Sequence, residues 1–467
     1  MDDSDASIAP RTPVNELRAP SSARAALRGP VYLLALAVTV LSALGWMERR
    51  AEEQQPWSHA ILATEGEPLW DGTRPIHVRT LPQDSLAPFD QILASALDSP
   101  EIRAQLPTDI PSITEKLVGI TLTGDEWGPL LASGRPPRPG ANEAVAGDFT
   151  HLSAITVGGE TYQVTGRLQR GVAGLTTSYV VSFEDHKELF AESTGATTGW
   201  IDPNGVDRMQ ASDMPRNEQR QRRLYGGSAP NNPWLTTSAI LTLAIMAGAG
   251  SMGHIRLFRA LGHRPQGLLK PVLEAVNAWP RLFGACHVLF YVCVFAAMLA
   301  ALEFPRANLL LMEIFRWTFS EGGLSNVGSA YESGNVLYAA WATFQHNFVV
   351  ATLALAILPS MIFFFSGFAL NAFRFCIVGL GMSPIIAGSV THFSYHSITM
   401  VLELEAYIVA SFFIVLWPVQ LFRGVTSGNI GAEWRKGLAI VSSGTVLVGI
   451  MLAIAAVYEA TTIILFR

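Results

Sequence analysis

The sequence predicts an α-helical polytopic membrane protein of about six to seven spans, with an α+β extracytoplasmic domain after the first span. Three observations predict it. Charged types make up 15% of the 467 residues and hydrophobic types 49%, against about 25% charged in soluble proteins. The mean hydropathy is +0.30. The apolar residues are gathered into one run at 31–48 and several beyond 234, while 49–233 is polar.

Residues 1–30 are rich in Pro, Ser, Ala and Arg without apolar periodicity, and predict a disordered cytoplasmic tail. The run at 31–48 is at the short limit for a span. It ends in Trp46-Met47-Glu48-Arg49-Arg50 where a signal peptide would have small residues, so an uncleaved anchor is expected. Arg18, Arg24 and Arg28 precede it, which puts the N-terminus in the cytoplasm and 49–233 across the membrane.

Within 49–233, Phe89 to Leu97 is helix-like. Ile155-Thr156-Val157, Gly158-Gly159-Glu160 and Thr161 to Thr165 spell strand, turn and strand, and Ser178 to Phe183 a further strand. A disulfide framework is excluded there, because Cys286, Cys293 and Cys376 all lie in later apolar segments. Residues 202–233, with Arg216, Arg220, Arg222 and Arg223, suit a solvated linker or a charged helix entering the membrane.

The multi-span part, 234–467, has five strongly apolar segments at 234–255, 281–303, 346–369, 399–421 and 437–462. Arg256, Arg259, Arg264 and Lys270 make the first loop cytoplasmic, and Arg423, Arg435 and Lys436 place 422–436 on the same side. An amphipathic stretch at Leu309–Phe319 suits the interface. Two loops on one side require 372–394 to cross outward or to form a re-entrant hairpin. Its Gly379, Gly381, Pro384 and Gly388 suit a broken or tightly packed helix. That gives seven spans.

The chain has no Walker, HExxH or GxSxG motif, so no enzyme class is indicated, and no cofactor or metal is expected. The net charge of −6 gives no basic surface for nucleic acid. Carboxylates inside apolar segments are costly unless they face protein or water. Glu403 and Glu405 open the 399–421 segment, and His392, His396 and Glu403 fall on one helix face. This candidate polar site has three readings: polar packing, a proton or ion pathway, or a metal site. Glu303 and Glu459 sit near span ends and Arg374 near a cytoplasmic boundary. His346, Asn347 and Asn371 are candidates for helix capping or interhelical hydrogen bonds.

Residues 340–424 contain Gln345-His346-Asn347, Ser366-Gly367-Phe368-Ala369-Leu370-Asn371, His396-Ser397 and Glu403-Leu404-Glu405-Ala406. This pattern resembles the stage II sporulation protein M family, with Ser397 in place of a Gly and Glu405 in place of a Pro. The resemblance implies a membrane scaffold for envelope remodelling. In the polar domain, Gly134-Arg135-Pro136-Pro137 precedes Glu143-Ala144-Val145, and Gly159-Glu160-Thr161-Tyr162-Gln163-Val164-Thr165-Gly166 follows. This is similar to the extracytoplasmic domain of macrolide-exporter-type ABC permeases, which have four spans. It implies a permease-like subunit of the inner (plasma) membrane. Such a subunit would meet a separate ATPase at loops 256–280 and 422–436, would be open to an extracytoplasmic protein partner, and would form a homodimer. The function expected from the sequence is therefore an ABC-type export or envelope machine, with a scaffold or an intramembrane ion or proton carrier as alternatives.

Overall fold

The computed structural model describes residues 21–53, 61–63, 73–104, 114–169, 175–191, 196–202, 224–226, 232–262, 265–385 and 389–465. The predicted tail, most of the 202–233 linker and Gly388 lie largely or wholly outside these residues. Eleven helices matter here: α1 Ser21–Glu53, α2 Pro88–Leu97, α3 Pro233–Leu261, α4 Lys270–Ala278, α5 Pro280–Glu303, α6 Pro305–Ser320, α7 Ser325–Glu332, α8 Val336–Phe363, α9 Ser366–Gly381, α10 Ser389–Ser427 and α11 Ile430–Leu465. Six of them (α1, α3, α5, α8, α10 and α11) are long and apolar enough to cross a membrane.

The starts of these helices follow from local chemistry. At α3, Asn232 Oδ1 accepts from Trp234 N–H and Pro233 takes the first position, where its missing N–H costs nothing. At α8, Asn335 Oδ1 accepts from Tyr338 N–H. Helix α8 has wide π-helical turns over Gln345–Ile357, a rare geometry that collects at functional sites.

The expected crossing at 372–394 is placed differently. Helix α8 reverses at Phe364, whose φ is +45°, and Gly367 N–H donates to Ser360 Oγ at 2.7 Å to close the turn. The return pass is α9, which has 16 residues, about 24 Å. That is short of the roughly 30 Å hydrocarbon core. Its far tip reaches the end of the bundle beside α6. Asn308 of α6 donates to Leu380 O at its far tip, and Ser383 Oγ donates to Met298 O near the end of α5. Residues 389–394 belong to α10 instead. Six helices are thus long and apolar enough to cross, with α9 a shorter apolar helix packed among them; of the two forms expected for this segment it takes the tightly packed one, with Gly379 and Gly381 at packing positions within a continuous helix. The predicted loop 422–436 is largely helical too, with a turn only at Gly428-Asn429.

The polar region forms a mixed ten-stranded sheet. Its strands are β1 Ile61–Ala63, β2 Arg74–Thr80, β3 Lys116–Ile120, β4 Leu131–Gly134, β5 Glu143–Ala146, β6 Ala154–Val157, β7 Glu160–Leu168, β8 Ser178–Ser182, β9 Ala196–Asp202 and β10 Leu224–Gly226. The order is β10-β1-β9-β2-β3-β8-β5-β7-β4, with β6 on β7. The pairs β3/β8 and β5/β7 are parallel. Side chains alternate between two cores, Val118, Ile120 and Val180 on one face and Leu117, Tyr179 and Val181 on the other. The predicted hairpin is β6–β7. Gly158 and Gly159 have φ of +64° and +86°, as a two-residue hairpin turn of right-handed twist requires. Arg135 grips Glu143 with two 2.6 Å bonds beside it.

The sheet domain docks on α6. Leu86, Ala94 and Leu97 pack on Leu310, and Phe89 meets Phe304 at 4.1 Å. Beneath this apolar contact is a buried ion cluster. Arg306 lies 3.2 Å from Asp90 and 2.6 Å from Glu115 and donates to Phe149 O. One cation faces two carboxylates out of water. Burial pushes Glu115 up to about 7, against the pull of Arg306 and of a bond to Tyr179. Burial and Glu115 push Tyr179 up to about 12. A carboxyl raised on folding binds its proton more tightly in the native state. Its contribution to stability is full below the ordinary carboxyl range and is lost as pH rises through about 7. We predict that the melting temperature falls between about pH 5 and pH 8, and that Glu115→Gln flattens this dependence. An equal slope in both proteins would refute it.

Candidate functional site

Helix α10 runs through the middle of the bundle. Its apolar window is 72% buried, against 28% for α1 and for α8, so polar groups on it meet protein instead of lipid. Glu403 and Glu405 are two residues apart, about 200° around the axis. They therefore enter different spaces between helices, and the predicted four-residue cluster divides.

Glu405 is wholly buried. Its Oε1 accepts from Ser251 Oγ at 2.7 Å and from the Tyr291 hydroxyl at 2.9 Å. Its Oε2 lies 2.9 Å from His287 Nε2 and 3.2 Å from His254 Nδ1. Ser251 and His254 come from α3, His287 and Tyr291 from α5. A charged carboxylate without partners at such depth would cost several kcal/mol. Here both oxygens are occupied, and three helices converge on one group. His287 is itself anchored, with Nδ1 at 2.8 Å from Phe283 O.

Glu403 faces the other way. It accepts from Asn347 Nδ2 at 2.7 Å, so the wide-turned stretch of α8 delivers its ligand. From α11, Glu459 sits beside both Glu403 and Tyr331, and Tyr331 in turn pairs with Thr343 at 3.0 Å. The charge nearby is Arg374, whose guanidinium lies over the Tyr407 ring at 4.7 Å. Arg374 and Glu459, placed near membrane boundaries by the sequence, both belong to this interior cluster.

His392 and His396 do not join either carboxylate. Their rings stack on each other at 6.4 Å. His396 shares a face with Glu403 but sits seven residues away, about 10.5 Å along the axis. Asn371 donates to Ser411 Oγ at 3.0 Å, an interhelical bond between α9 and α10. His346 lies half-buried near Arg374. Among the described residues, no group of three or more His, Cys, Asp and Glu could hold a metal ion.

No family model, curated protein or solved structure matches the chain. Sequence reasoning missed Ser251, His254, His287 and Tyr291. The available signal was the few polar side chains inside apolar runs, Ser251 and His254 in one and His287 and Tyr291 in the next, which in a membrane helix have to find partners.

Proposed function

We propose that the chain is a proton-handling membrane carrier whose bundle works against an extracytoplasmic sheet domain. One observation carries this reading: Glu405, with no exposure to solvent, is held among two histidines, a tyrosine and a serine from two other helices. Buried ionisable groups in membrane helices are expensive, and proton relays built of Glu and His are a recurring use of them. The end of the bundle away from the sheet carries Arg256, Arg259, Lys270, Arg281, Arg423, Arg435 and Lys436. That asymmetry supports a cytoplasmic position for this end and a plasma-membrane location.

The test is flux. Full-length protein in lipid vesicles loaded with a pH-sensitive dye is expected to dissipate an imposed pH gradient. Glu405→Gln should lower the rate by about 10²-fold. Equal rates in wild type and variant would remove the reading.

A second reading, the permease-like subunit of an ABC-type export or envelope machine, is favoured by the placement of the sheet domain between the first two long helices and by Leu268, a large side chain 78% exposed in the basic loop. An ATPase that co-purifies with the wild type and is lost in Leu268→Glu would support it. Co-purification unchanged in that variant would count against docking at this loop.

A further inference from the structure

We propose that Glu405 and His287 together hold a single exchangeable proton, and that its release forces α5 away from α10. The proton count follows from two contacts of one ring. His287 Nδ1 is 2.8 Å from Phe283 O. A carbonyl only accepts, so Nδ1 carries a hydrogen. His287 Nε2 is 2.9 Å from Glu405 Oε2. A hydrogen bond there requires one more hydrogen, on Nε2 as imidazolium facing carboxylate or on Oε2 as carboxylic acid facing neutral imidazole. Both are forms of the same one-proton state. Turning the ring over would set carbon atoms against both oxygens, so the contacts themselves fix its orientation.

Removing that proton leaves the Nε2 lone pair facing a carboxylate at hydrogen-bond distance. The ring could regain a donor at Nε2 only by giving up the Nδ1 hydrogen that Phe283 O accepts. Either adjustment breaks a buried contact, and leaving a buried polar group unpaired is costly, more so when it is charged. In the proposal the strain is relieved by opening the gap, which also draws the Tyr291 hydroxyl from Glu405. His287 belongs to α5 and Glu405 to α10, so opening the gap moves one helix against the other. The route outward for the released proton runs past His254, whose Nδ1 is 3.2 Å from the same Oε2. His254 is also the most exposed member at 20%, against 4% for His287. It stands near the end of α3 that carries Arg256 and Arg259. The titratable groups facing Glu405 are thus His254 from α3 and His287 and Tyr291 from α5, with Ser251 as a further hydroxyl donor.

The use of this proton in transport rests on the carrier reading; the proton count rests on the contacts alone. The experiment is magnetic resonance on the full-length protein in lipid nanodiscs, with 15N-labelled histidine, between about pH 4 and pH 10. The wild type should show a one-proton transition of His287 that is lost or displaced in Glu405→Gln. In His254→Gln the transition should remain, with proton exchange slower by about tenfold or more. Spin labels at Arg281→Cys and Val425→Cys, with the three native cysteines replaced by alanine, should move apart through the transition. A His287 signal that is constant across the range, or a transition identical in Glu405→Gln, overturns the proton site. An unchanged label distance overturns the helix movement. A normal transition without proton flux in vesicles leaves the site standing and removes only the carrier reading.

Discussion

Arg306→Met is expected to loosen the sheet domain from the bundle, at a cost of about 3–5 kcal/mol. The reason is what the arginine leaves behind. Asp90 and Glu115 are 5% and 1% exposed, and Arg306 is the cation within ion-pair distance of both. Methionine fills much of the volume but leaves two carboxylates out of water without their counter-charge. They can escape by binding protons, which is cheap at low pH and costly at high pH. The defect should therefore be larger near pH 8 than near pH 5, consistent with the Glu115 proton being held up to about 7 even beside the arginine. Removing the charges together should restore most of the loss, because an ion cluster replaced whole is often neutral. The triple variant Arg306→Met, Asp90→Asn, Glu115→Gln thus separates lost attraction from lost packing. The measurement is thermal unfolding of purified protein, with protease accessibility of the 73–202 region as a second probe. A single variant that melts with the wild type at both pH values would show that the apolar contact of Phe89 and Leu310 suffices.

Much of this fold was legible because lipid is a demanding solvent. Apolar runs near twenty residues, ended by Asn-Pro or basic residues, have few alternatives to membrane helices. The β6–β7 hairpin was equally plain, since Gly158-Gly159 between two β-branched runs admits little else. The reversal at Phe364 was not. Turns are sought at glycine and proline, and here Met361 to Phe365 looks like uninterrupted helix, while the glycines that suggested a break lie inside α9. Sheet order was also hidden, because β1 pairs with β9 and β10, far along the chain. The carboxylates were visible, but their partners were not. Ser251, His287 and Tyr291 lie 154, 118 and 114 residues before Glu405. No periodicity within one helix reports which face of another it meets. Spacing placed His392, His396 and Glu403 on one face, but it could not show that the axial rise separates them.

Gly379→Val should cost about 1–3 kcal/mol or more, through a clash that neither helix can relieve by rotating a side chain. A Cβ at this position would lie 2.3 Å from Val294 O and 3.0 Å from the Ala297 Cβ. The first obstacle is backbone of α5, so the helices have to part. They are held close by Phe290, whose ring meets Phe368 at 5.0 Å and Phe375 at 4.8 Å. Small residues at such crossings are how membrane helices gain van der Waals contact when lipid supplies no hydrophobic drive. Displacing α9 has two further consequences. At its end it strains the bonds from Asn308 to Leu380 O and Gly381 O, next to the sheet junction. At its middle it shifts Arg374 from the Tyr407 ring and the Glu403 cluster. The control is Gly248→Ala in α3, where an added Cβ meets nothing within 4 Å. That change should be neutral or stabilising by up to about 1 kcal/mol through helix propensity. Denaturant titration in mixed micelles compares the two. If Gly379→Val unfolds at the same midpoint as Gly248→Ala, α9 is not locked against α5, and the packing of α9 that positions Arg374 has to be revised.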